Sequence, residues 1–370
     1  MKNNSVVHVT SVHPRYDTRI FLKMCNSLAM SGKNVSLIVA DGKGDELSDK
    51  GVTIYDVGLS VGRLSRMLKT TKLVYNKAIE LKADVYHLHD PELIPIGLKL
   101  KKKGFKVVFD AHEDLPKQLK SKPYLNVFFK KILPLLFEFY EKFSLSKFDA
   151  LVGATPSITS KLSKLNCKSY NINNYPIIGE LNQFNDTLWS EKADEVCYLG
   201  GITEIRGIKE VILALPSAPC VRLNLAGRFS EPHIEQEVKS CKAWEQVNEL
   251  GFIDRTFAAE ILGRSKAGIV TFHDYPNHID AQPNKMFEYM SAGLPIITSN
   301  FPMWRELVEG EECGICVEPT DPKAIADAIN FIIRNPEDAN RMGKNGLRAV
   351  QLKYNWAAEE KTLLTLYKEI

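Results

Sequence analysis

The stretch DAQPNKMFEYMSAGLPIITSN, from Asp280 to Asn300, decides the expected fold. Its Pro-Asn-Lys turn leads into a helical pattern that ends at Gly293, and an apolar strand pattern follows directly. A helix that stops at a glycine and precedes a buried strand is the repeating unit of a parallel α/β sheet. The stretch therefore predicts α/β architecture.

The same alternation of short β-branched runs and longer helical patterns continues through the chain. In the first half, strands are predicted at Ser5–Thr10, Val35–Ala40, Val52–Val57, Val85–His89, Val107–Asp110 and Ala150–Ala154. In the second half, they are predicted at Val196–Leu199, Val221–Ala226, Gly268–Phe272, Pro295–Thr298 and Gly314–Val317. This pattern predicts doubly wound parallel sheets, which bind ligands beyond the carboxyl ends of their strands.

The 370 residues are too many for one hydrophobic core and favour two domains. An Asn-rich segment at 171–187 separates the two series of strands. We therefore expect Rossmann-like domains at 1–172 and 173–354, followed by a helix at 355–370.

Composition excludes several classes of protein. Hydrophobic residues make up 44% and charged residues 25%, as in globular proteins, and the net charge of +3 gives no field for nucleic acid. Seven scattered cysteines suit a reducing cytosol, and Cys313 and Cys316 lack further ligands at zinc spacing. The first residues show no signal-peptide pattern, so a cytoplasmic protein is expected. From the net charge, no nucleic-acid partner is expected.

The turn before the helix in the opening stretch suits an anion. If the helix begins near Asn284, the free N–H groups of its first turn, which includes Met286, bind negative charge, and Lys285 adds a cation. Glu288, one turn further, can accept hydrogen bonds from ribose hydroxyls. The alternative for Glu288 is an ordinary surface carboxylate.

A second anion-binding turn is predicted in LGGITEIRGIK, Leu199–Lys209. Gly200 and Gly201 follow a strand and let the backbone approach a ligand, and Arg206 can grip a phosphate with two donors. A Gly-Gly pair alone can serve chain reversal only. Two such turns in one half favour a diphosphate site.

Titratable side chains follow several strands of the first half. They are His13, Asp17, Arg19, His87, His89, Asp90, His112 and Glu113. A lone histidine near a strand is more often a core side chain, but histidines grouped at the carboxyl ends of several strands favour a site.

These segments together resemble the family 4 glycosyltransferases, which have the GT-B architecture of two Rossmann-like domains facing across a cleft. The resemblance covers nearly the whole chain. It rests on SVHPRYDTRIFLK (11–23), HLHDPELIPIG (87–97), FDAHEDLPKQ (109–118), YLGGITEIRGI (198–208), LAGRF (225–229) and PNKMFEYMSAGLPIITS (283–299).

The resemblance implies roles for residues of the second half. The second carboxylate of the family's E-x7-E motif binds the donor ribose and falls on Glu288, while the first contacts the sugar and falls on Asp280, one methylene shorter. The family's phosphate-binding Arg and Lys fall on Gly201 and Arg206, so Lys285 is expected to supply the missing cation.

Further roles follow from the same resemblance. His112 is expected beside the reacting sugar, with His13, Asp17, Arg19, His89, Asp90 and Glu113 on the acceptor side. Gly251 and Phe252 are expected to meet the nucleobase, and the final helix to pack on the first domain.

The expected function is a retaining transfer of a sugar from a nucleotide sugar, with UDP as the nucleotide, in surface polysaccharide synthesis. Fixed N–H dipoles with Arg and Lys can stabilise the leaving diphosphate, and no Asp-x-Asp pair occurs, so no metal or cofactor is expected. Two alternatives stay open: a nucleotide-sugar epimerase or hydrolase on the same frame, and a non-catalytic nucleotide-sugar-binding protein, suggested by Asp280 and Gly201.

The segment Tyr124–Lys147 carries a wide apolar helical surface bordered by lysines. Such a surface suits anionic lipid headgroups, so peripheral contact with the inner face of the cytoplasmic membrane and a polyprenyl-diphosphate-linked glycan acceptor are expected. The alternative is a core helix broken by Pro134.

Overall fold

The computed structural model describes residues 4–59, 62, 65–121, 126–182 and 189–370. The chain forms two compact units, one of Met1–Asn174 with Trp356–Ile370 and the other of Tyr175–Asn355. Each unit contains its own sheet, so the predicted α/β class with two parallel sheets is confirmed.

The sheet of the first unit has eight strands. They are β1 Ser5–Val9, β2 Asn34–Val39, β3 Glu46–Leu47, β4 Thr53–Asp56, β5 Val85–Leu88, β6 Lys106–Ala111, β7 Ala150–Gly153 and β8 Ser169–Asn171. Their order is β3-β4-β2-β1-β5-β6-β7-β8, and only β3 runs antiparallel to its neighbour. The strand order reverses between β1 and β5, where an open α/β sheet places its ligands.

Helices connect these strands. They are α1 Asn26–Met30, which continues the π-helical segment Thr18–Cys25, then α2 Thr71–Leu81, α3 Ile94–Lys102, α4 Leu115–Ser121, α5 Val127–Leu145 and α6 Pro156–Ser163. Asp17 caps the start of the π-helical segment, because its side chain accepts hydrogen bonds from the N–H groups of Arg19 and Ile20, both at 2.9 Å.

The sheet of the second unit has six parallel strands. They are β9 Glu195–Leu199, β10 Arg222–Ala226, β11 Val247–Gly251, β12 Ala267–Val270, β13 Ile296–Ser299 and β14 Gly314–Val317. Their order is β11-β10-β9-β12-β13-β14, so this sheet reverses between β9 and β12.

The second unit contains seven α-helices within its described residues. They are α7 Ile208–Ala214, α8 Pro232–Ser240, α9 Arg255–Arg264, α10 Asn284–Ser291, α11 Pro302–Gly310, α12 Pro322–Arg334 and α13 Pro336–Leu352. The predicted helix start at Asn284 is confirmed, and the chain turns at Gly293, with a φ of 67°, before β13.

Helix α10 is fixed closely to the sheet. The Tyr289 hydroxyl accepts a hydrogen bond from the N–H of Leu199 at 2.9 Å. A Cβ on Gly268 would lie 2.1 Å from the Tyr289 ring, so only glycine at that position of β12 allows this packing. The start of α10 and the turn after β9 are therefore held in one rigid arrangement.

The last helix, α14, spans Trp356–Glu369 and belongs to the first unit. The indole N–H of Trp356 donates to the Ser27 hydroxyl at 2.9 Å, and the Glu359 carboxylate accepts the N–H of Asn173 at 2.7 Å. These buried contacts anchor both ends of the chain in one unit.

Candidate functional site

A buried carboxylate organises the ligand edge of the first unit. Asp110, at the end of β6, places its Oδ2 3.1 Å from Nε2 of His112 and 3.2 Å from Nδ1 of His89. Arg19 donates to both carboxylate oxygens, at 2.8 and 2.7 Å. Although burial raises it, the charge of Arg19 and the hydrogen bonds from His112 and His89 hold the pKa of Asp110 well below its ordinary value. The ionised carboxylate therefore anchors His112, whose side chain stays 19% exposed.

A second group at this edge surrounds His13. Its Nδ1 lies 3.1 Å from Oδ2 of Asp17, and its Nε2 lies 3.5 Å from Oδ1 of Asp90. Burial lowers the pKa of His13, but the hydrogen bond to Asp17 and the charge of Asp90 outweigh it and raise the pKa. The rings of His13 and His112 are 4.9 Å apart, so the two groups adjoin.

The structure therefore brings the predicted first-half residues together but gives them different surroundings. Arg19, His89 and Asp90 are buried and bonded to other protein groups. His13 and His112 are half-buried, and Glu113 is exposed and accepts a hydrogen bond from the Gln118 amide. These three, together with the partly exposed Asp17, offer surface to a ligand.

In the second unit, two cations cover the glycine turn after β9. A Cβ on Gly201 would lie 2.7 Å from Nη1 of Arg206, and a Cβ on Gly200 would lie 3.0 Å from Cε of Lys285. Arg206 also donates to the Gly201 carbonyl at 3.1 Å. The glycines thus provide the space that both side chains occupy, whereas the sequence predicted that they let the backbone approach a ligand.

Lys285 lies in the first turn of α10 and is buried. Among the described residues, its Nζ has no hydrogen-bond partner and lies 3.7 Å from the centre of the Tyr198 ring. Burial and the charge of Arg206 hold the pKa of Lys285 well below its ordinary value, against the opposing charge of Glu288. A buried amine without a partner is costly, and an anionic ligand would satisfy it.

Glu288 is held by an arginine that sequence reasoning missed. Arg255, at the start of α9, donates Nη1 to Oε1 of Glu288 at 2.6 Å. The same guanidinium donates to both carboxylate oxygens of Glu180, at 2.8 and 2.9 Å. Glu288 is therefore a paired carboxylate, and its Oε2 keeps acceptor capacity.

The remaining predicted residues of the second unit lie around α10 and β11. Asp280 lies in the turn before α10, and Asn284 and Met286 lie in the helix's first turn, with Met286 buried. Gly251 has a φ of 64° at the end of β11, and Phe252 is largely exposed beside the Arg228 guanidinium, 5.3 Å away. An exposed aromatic ring after a strand end can stack on a flat ligand.

Two groups of side chains in the first unit have the composition of metal ligands. They are His8, His87 and His89, and His89, Asp110 and His112, with ligand atoms within 4.8 Å of one another. In the second group, Arg19 already bonds both oxygens of Asp110. Hydrogen bonds to that carboxylate explain the positions of both histidine nitrogens.

Helix α5 exposes a wide apolar stripe. The exposed side chains are Phe128, Phe129, Leu135, Leu136, Phe139 and Phe143, and Phe139 is 74% exposed. With 3.6 residues per turn they share one side of the helix, and the exposed Lys131 and Lys142 border it. Their exposure disfavours the core-helix alternative; Tyr124 and Leu125 lie outside the described residues.

No helix in the described part of the chain is both long enough and apolar enough to cross a membrane. Helix α5, with 19 residues, is interrupted by charged side chains.

Comparison with known proteins finds a family similar to the second unit. Residues 180–349 match the family described as Glycosyl transferases group 1. Glycogen synthase of Mycobacterium tuberculosis is 23% identical over 167 residues, which are 44% of this chain and 39% of the relative. The capsular polysaccharide biosynthesis glycosyltransferase CapM of Staphylococcus aureus is 30% identical over 99 residues, 26% of each chain. The alignments thus span well under two thirds of these relatives.

Solved structures match almost the whole chain. Sucrose-phosphate synthase of Thermosynechococcus elongatus has a TM-score of 0.77 at 19% identity, over 99% of this chain and 98% of that one. Anabaena HepE, solved in complex with UDP-glucose, has a TM-score of 0.72 at 12% identity, over 99% of this chain and 100% of that one. At these identities the likeness shows the fold, which is GT-B.

Proposed function

We propose that this protein, whose residues 180–349 match the family of group 1 glycosyl transferases, is a retaining glycosyltransferase that uses a nucleotide sugar. One observation carries the proposal. Two cations, Arg206 and Lys285, meet at the Gly200–Gly201 turn, and the Lys285 amine is buried without a partner among the described residues. A diphosphate would supply the missing negative charge.

In this proposal, the turn after β9 and the start of α10 bind the diphosphate of the donor. Breaking the sugar–phosphate bond places negative charge on the leaving group. Arg206, Lys285 and the N–H groups of Asn284 and Lys285 would stabilise that charge as it develops. Because these groups supply the compensation, we propose a reaction that needs no metal ion.

The ribose is assigned to Glu288. Arg255 occupies Oε1 at 2.6 Å, which orients the carboxylate and leaves Oε2 to accept from a ribose hydroxyl. Gly251 and Phe252 are proposed to meet the base, and we propose uridine because the similarly folded HepE binds UDP-glucose. Asp280 and His112 are each proposed to contact the sugar.

A donor panel with product analysis tests the proposal. UDP sugars are incubated with the protein, with and without a glycan acceptor, and nucleotide release and sugar products are measured. We expect acceptor-dependent release of UDP and an α-linked product from an α-linked donor. Release without an acceptor would favour the hydrolase alternative, a changed sugar the epimerase alternative, and binding without any reaction a nucleotide-sugar-binding protein.

We further propose that the acceptor is a polyprenyl-linked precursor of a surface polysaccharide, and that the α5 stripe contacts the cytoplasmic membrane that carries it. Large apolar side chains bordered by Lys131 and Lys142 suit an anionic lipid surface. The similarity to CapM, named for capsular polysaccharide biosynthesis, supports this acceptor class.

Vesicle co-sedimentation tests the membrane contact. Wild-type protein is expected to bind vesicles of anionic lipid, less so at high salt, and Phe139→Ser is expected to weaken binding. Leu352→Ser, which changes a comparably exposed apolar residue on α13, serves as the control. Equal binding to neutral vesicles, or equal loss in both variants, contradicts the proposed surface.

A further inference from the structure

We propose that a buried chain of hydrogen bonds fixes the tautomer of His112 and makes its outward nitrogen an acceptor for a hydroxyl group. The chain consists of Tyr367, His8, His89 and Asp110. That the hydroxyl belongs to a sugar rests on the proposed function, whereas the chain itself rests on distances within the first unit.

Asp110 fixes the positions of hydrogens at one end of the chain. An ionised carboxylate only accepts hydrogen bonds, and Arg19 keeps Asp110 ionised by donating to both of its oxygens. Nδ1 of His89 and Nε2 of His112 both face Oδ2, at 3.2 and 3.1 Å, so both nitrogens carry a hydrogen. These two nitrogens lie 3.2 Å apart because both donate to the same oxygen of Asp110, and they form no hydrogen bond with each other.

The tautomer of His89 sets that of His8. Because Nδ1 of the fully buried His89 carries the hydrogen, its Nε2 has the lone pair, and burial lowers the pKa of His89, which favours the neutral ring. Nδ1 of His8 lies 2.9 Å from this Nε2 and must donate to it. His8 is therefore also an Nδ1–H tautomer.

Tyr367 on α14 closes the chain at its far end. With Nδ1 of His8 protonated, Nε2 of His8 accepts from the Tyr367 hydroxyl over a long contact of 3.5 Å. The hydroxyl oxygen in turn accepts from Nδ1 of His87 at 2.8 Å. His8 and His87 are paired in register on β1 and β5, and their rings stack at 4.7 Å, so the sheet fixes their positions.

His112 is the partly exposed histidine that is bonded to this buried chain. Neutral His112 has its hydrogen on Nε2, toward Asp110, and its lone pair on Nδ1. No described residue donates a hydrogen bond to this nitrogen, and the side chain is partly exposed. An acceptor here selects a ligand group that can donate, such as a hydroxyl, and disfavours a carboxylate or phosphate oxygen.

Nitrogen-15 NMR of the histidine rings tests the chain in the full-length protein, in the presence of EDTA. We expect Nδ1–H tautomers for His8, His87 and His89 and an Nε2–H tautomer for His112. Histidines in water favour Nε2–H, so three Nδ1–H rings would be distinctive. An Nε2–H ring at His8 or His89 would overturn the proposal. A difference in the histidine signals between protein with one equivalent of Zn²⁺ and protein with EDTA would also overturn it, because the histidines would then be metal ligands.

Tyr367→Phe tests whether the chain acts on His112. Removing the hydroxyl takes away the donor to Nε2 of His8 and is expected to mix the tautomers of His8 and His89. Because His89 and His112 share Oδ2 of Asp110, the His112 ring signals are then expected to shift and kcat to fall about 5-fold, as for one lost hydrogen bond, with a smaller change in KM for the donor. Tyr86→Phe is the matched control, because the buried Tyr86 hydroxyl donates to the Ala78 carbonyl at 2.6 Å and contacts no histidine of the chain.

The outcomes separate this inference from the proposed function. If Tyr367→Phe and Tyr86→Phe leave His112 with the same spectrum and the same kcat, Tyr367 does not position His112. If the predicted tautomers are found but no nucleotide sugar reacts, the chain stands and the glycosyltransferase proposal falls.

Discussion

The ligand edges of the two units differ in whether a buried ionisable side chain has a partner within the fold. In the first unit, both oxygens of the buried Asp110 accept hydrogen bonds, from Arg19, His89 and His112. In the second unit, Lys285 is also buried, but none of the described residues bonds its amine. The comparison teaches that buried charge in the first unit is already compensated within the fold, whereas in the second unit the compensation is left to a ligand.

The largest expected effect is that of Arg19→Met on the free energy of unfolding. Arg19→Met leaves Asp110 buried without its cation, and loss of one partner of a buried ion pair costs about 3–5 kcal/mol. Urea unfolding measures this change in the free energy of unfolding. The control is Arg341→Met, which removes an exposed ion pair and is expected to change it by less than about 0.5 kcal/mol. Similar values for both variants would contradict the assigned role of Arg19.

Lys285→Met is expected to lower turnover without lowering stability. The apo protein should be as stable as wild type or more so, because an unpartnered buried amine is replaced by an apolar side chain. Turnover should fall by about 100-fold, as when one group stabilising the leaving charge is removed. Lys323→Met, on an exposed lysine, is the control for both measurements. A destabilised variant with normal turnover would place Lys285 among structural residues.

The pH dependence of UDP binding tests whether Lys285 takes up a proton when the ligand binds. The folded apo protein holds Lys285 at a lowered pKa, so the unfolded chain binds more protons and this group makes stability rise with pH. UDP favours the charged amine, so its affinity should fall as pH rises from 7 to 9, by at most about 10-fold per pH unit for one coupled proton. Calorimetry in buffers of different ionisation enthalpy would detect the proton uptake.

The control for this titration is Lys285→Arg, since arginine stays charged throughout the range. If it binds UDP, its affinity should be nearly independent of pH. A wild-type affinity that is flat between pH 7 and 9 would mean that Lys285 is already charged before the ligand arrives.

The smallest effect is expected at Arg255. Arg255→Ala frees the Glu288 carboxylate to rotate, so KM for the donor should rise about 5-fold, the net effect of one typical hydrogen bond, with kcat nearly unchanged. Arg264→Ala, which removes an arginine paired with Glu195 at the other end of α9, is the control. Steady-state kinetics of both variants decides whether Arg255 positions Glu288.

Most of the fold was predictable because its signals are local. The helix start at Asn284 and the stop at Gly293 depend on neighbouring residues, and both are confirmed. Three strands were missed. β3 and β8 have only two and three residues, and β11, VNELG, has just two apolar side chains to mark it.

The partners of the predicted site residues were less predictable, because they come from distant parts of the chain. Arg255 precedes Glu288 by 33 positions and lies on another helix, and no spacing rule links them. Tyr367 lies within the helix predicted at 355–370, but its contact with His87 spans 280 positions and no spacing rule indicates it. Asp110 was visible as a strand end, but its role required knowing that Arg19 and two histidines converge on it.

The placement of α14 has a consequence for synthesis on the ribosome. Residues 175–355 are made between the two parts of the first unit. At about 5–20 residues per second, the nascent first unit waits roughly 10–40 s before its last helix exists. During that interval Asn173 lacks the Glu359 carboxylate and His87 lacks the Tyr367 hydroxyl. The second unit can complete its own core first, although its first strand is translated after every strand of the other sheet.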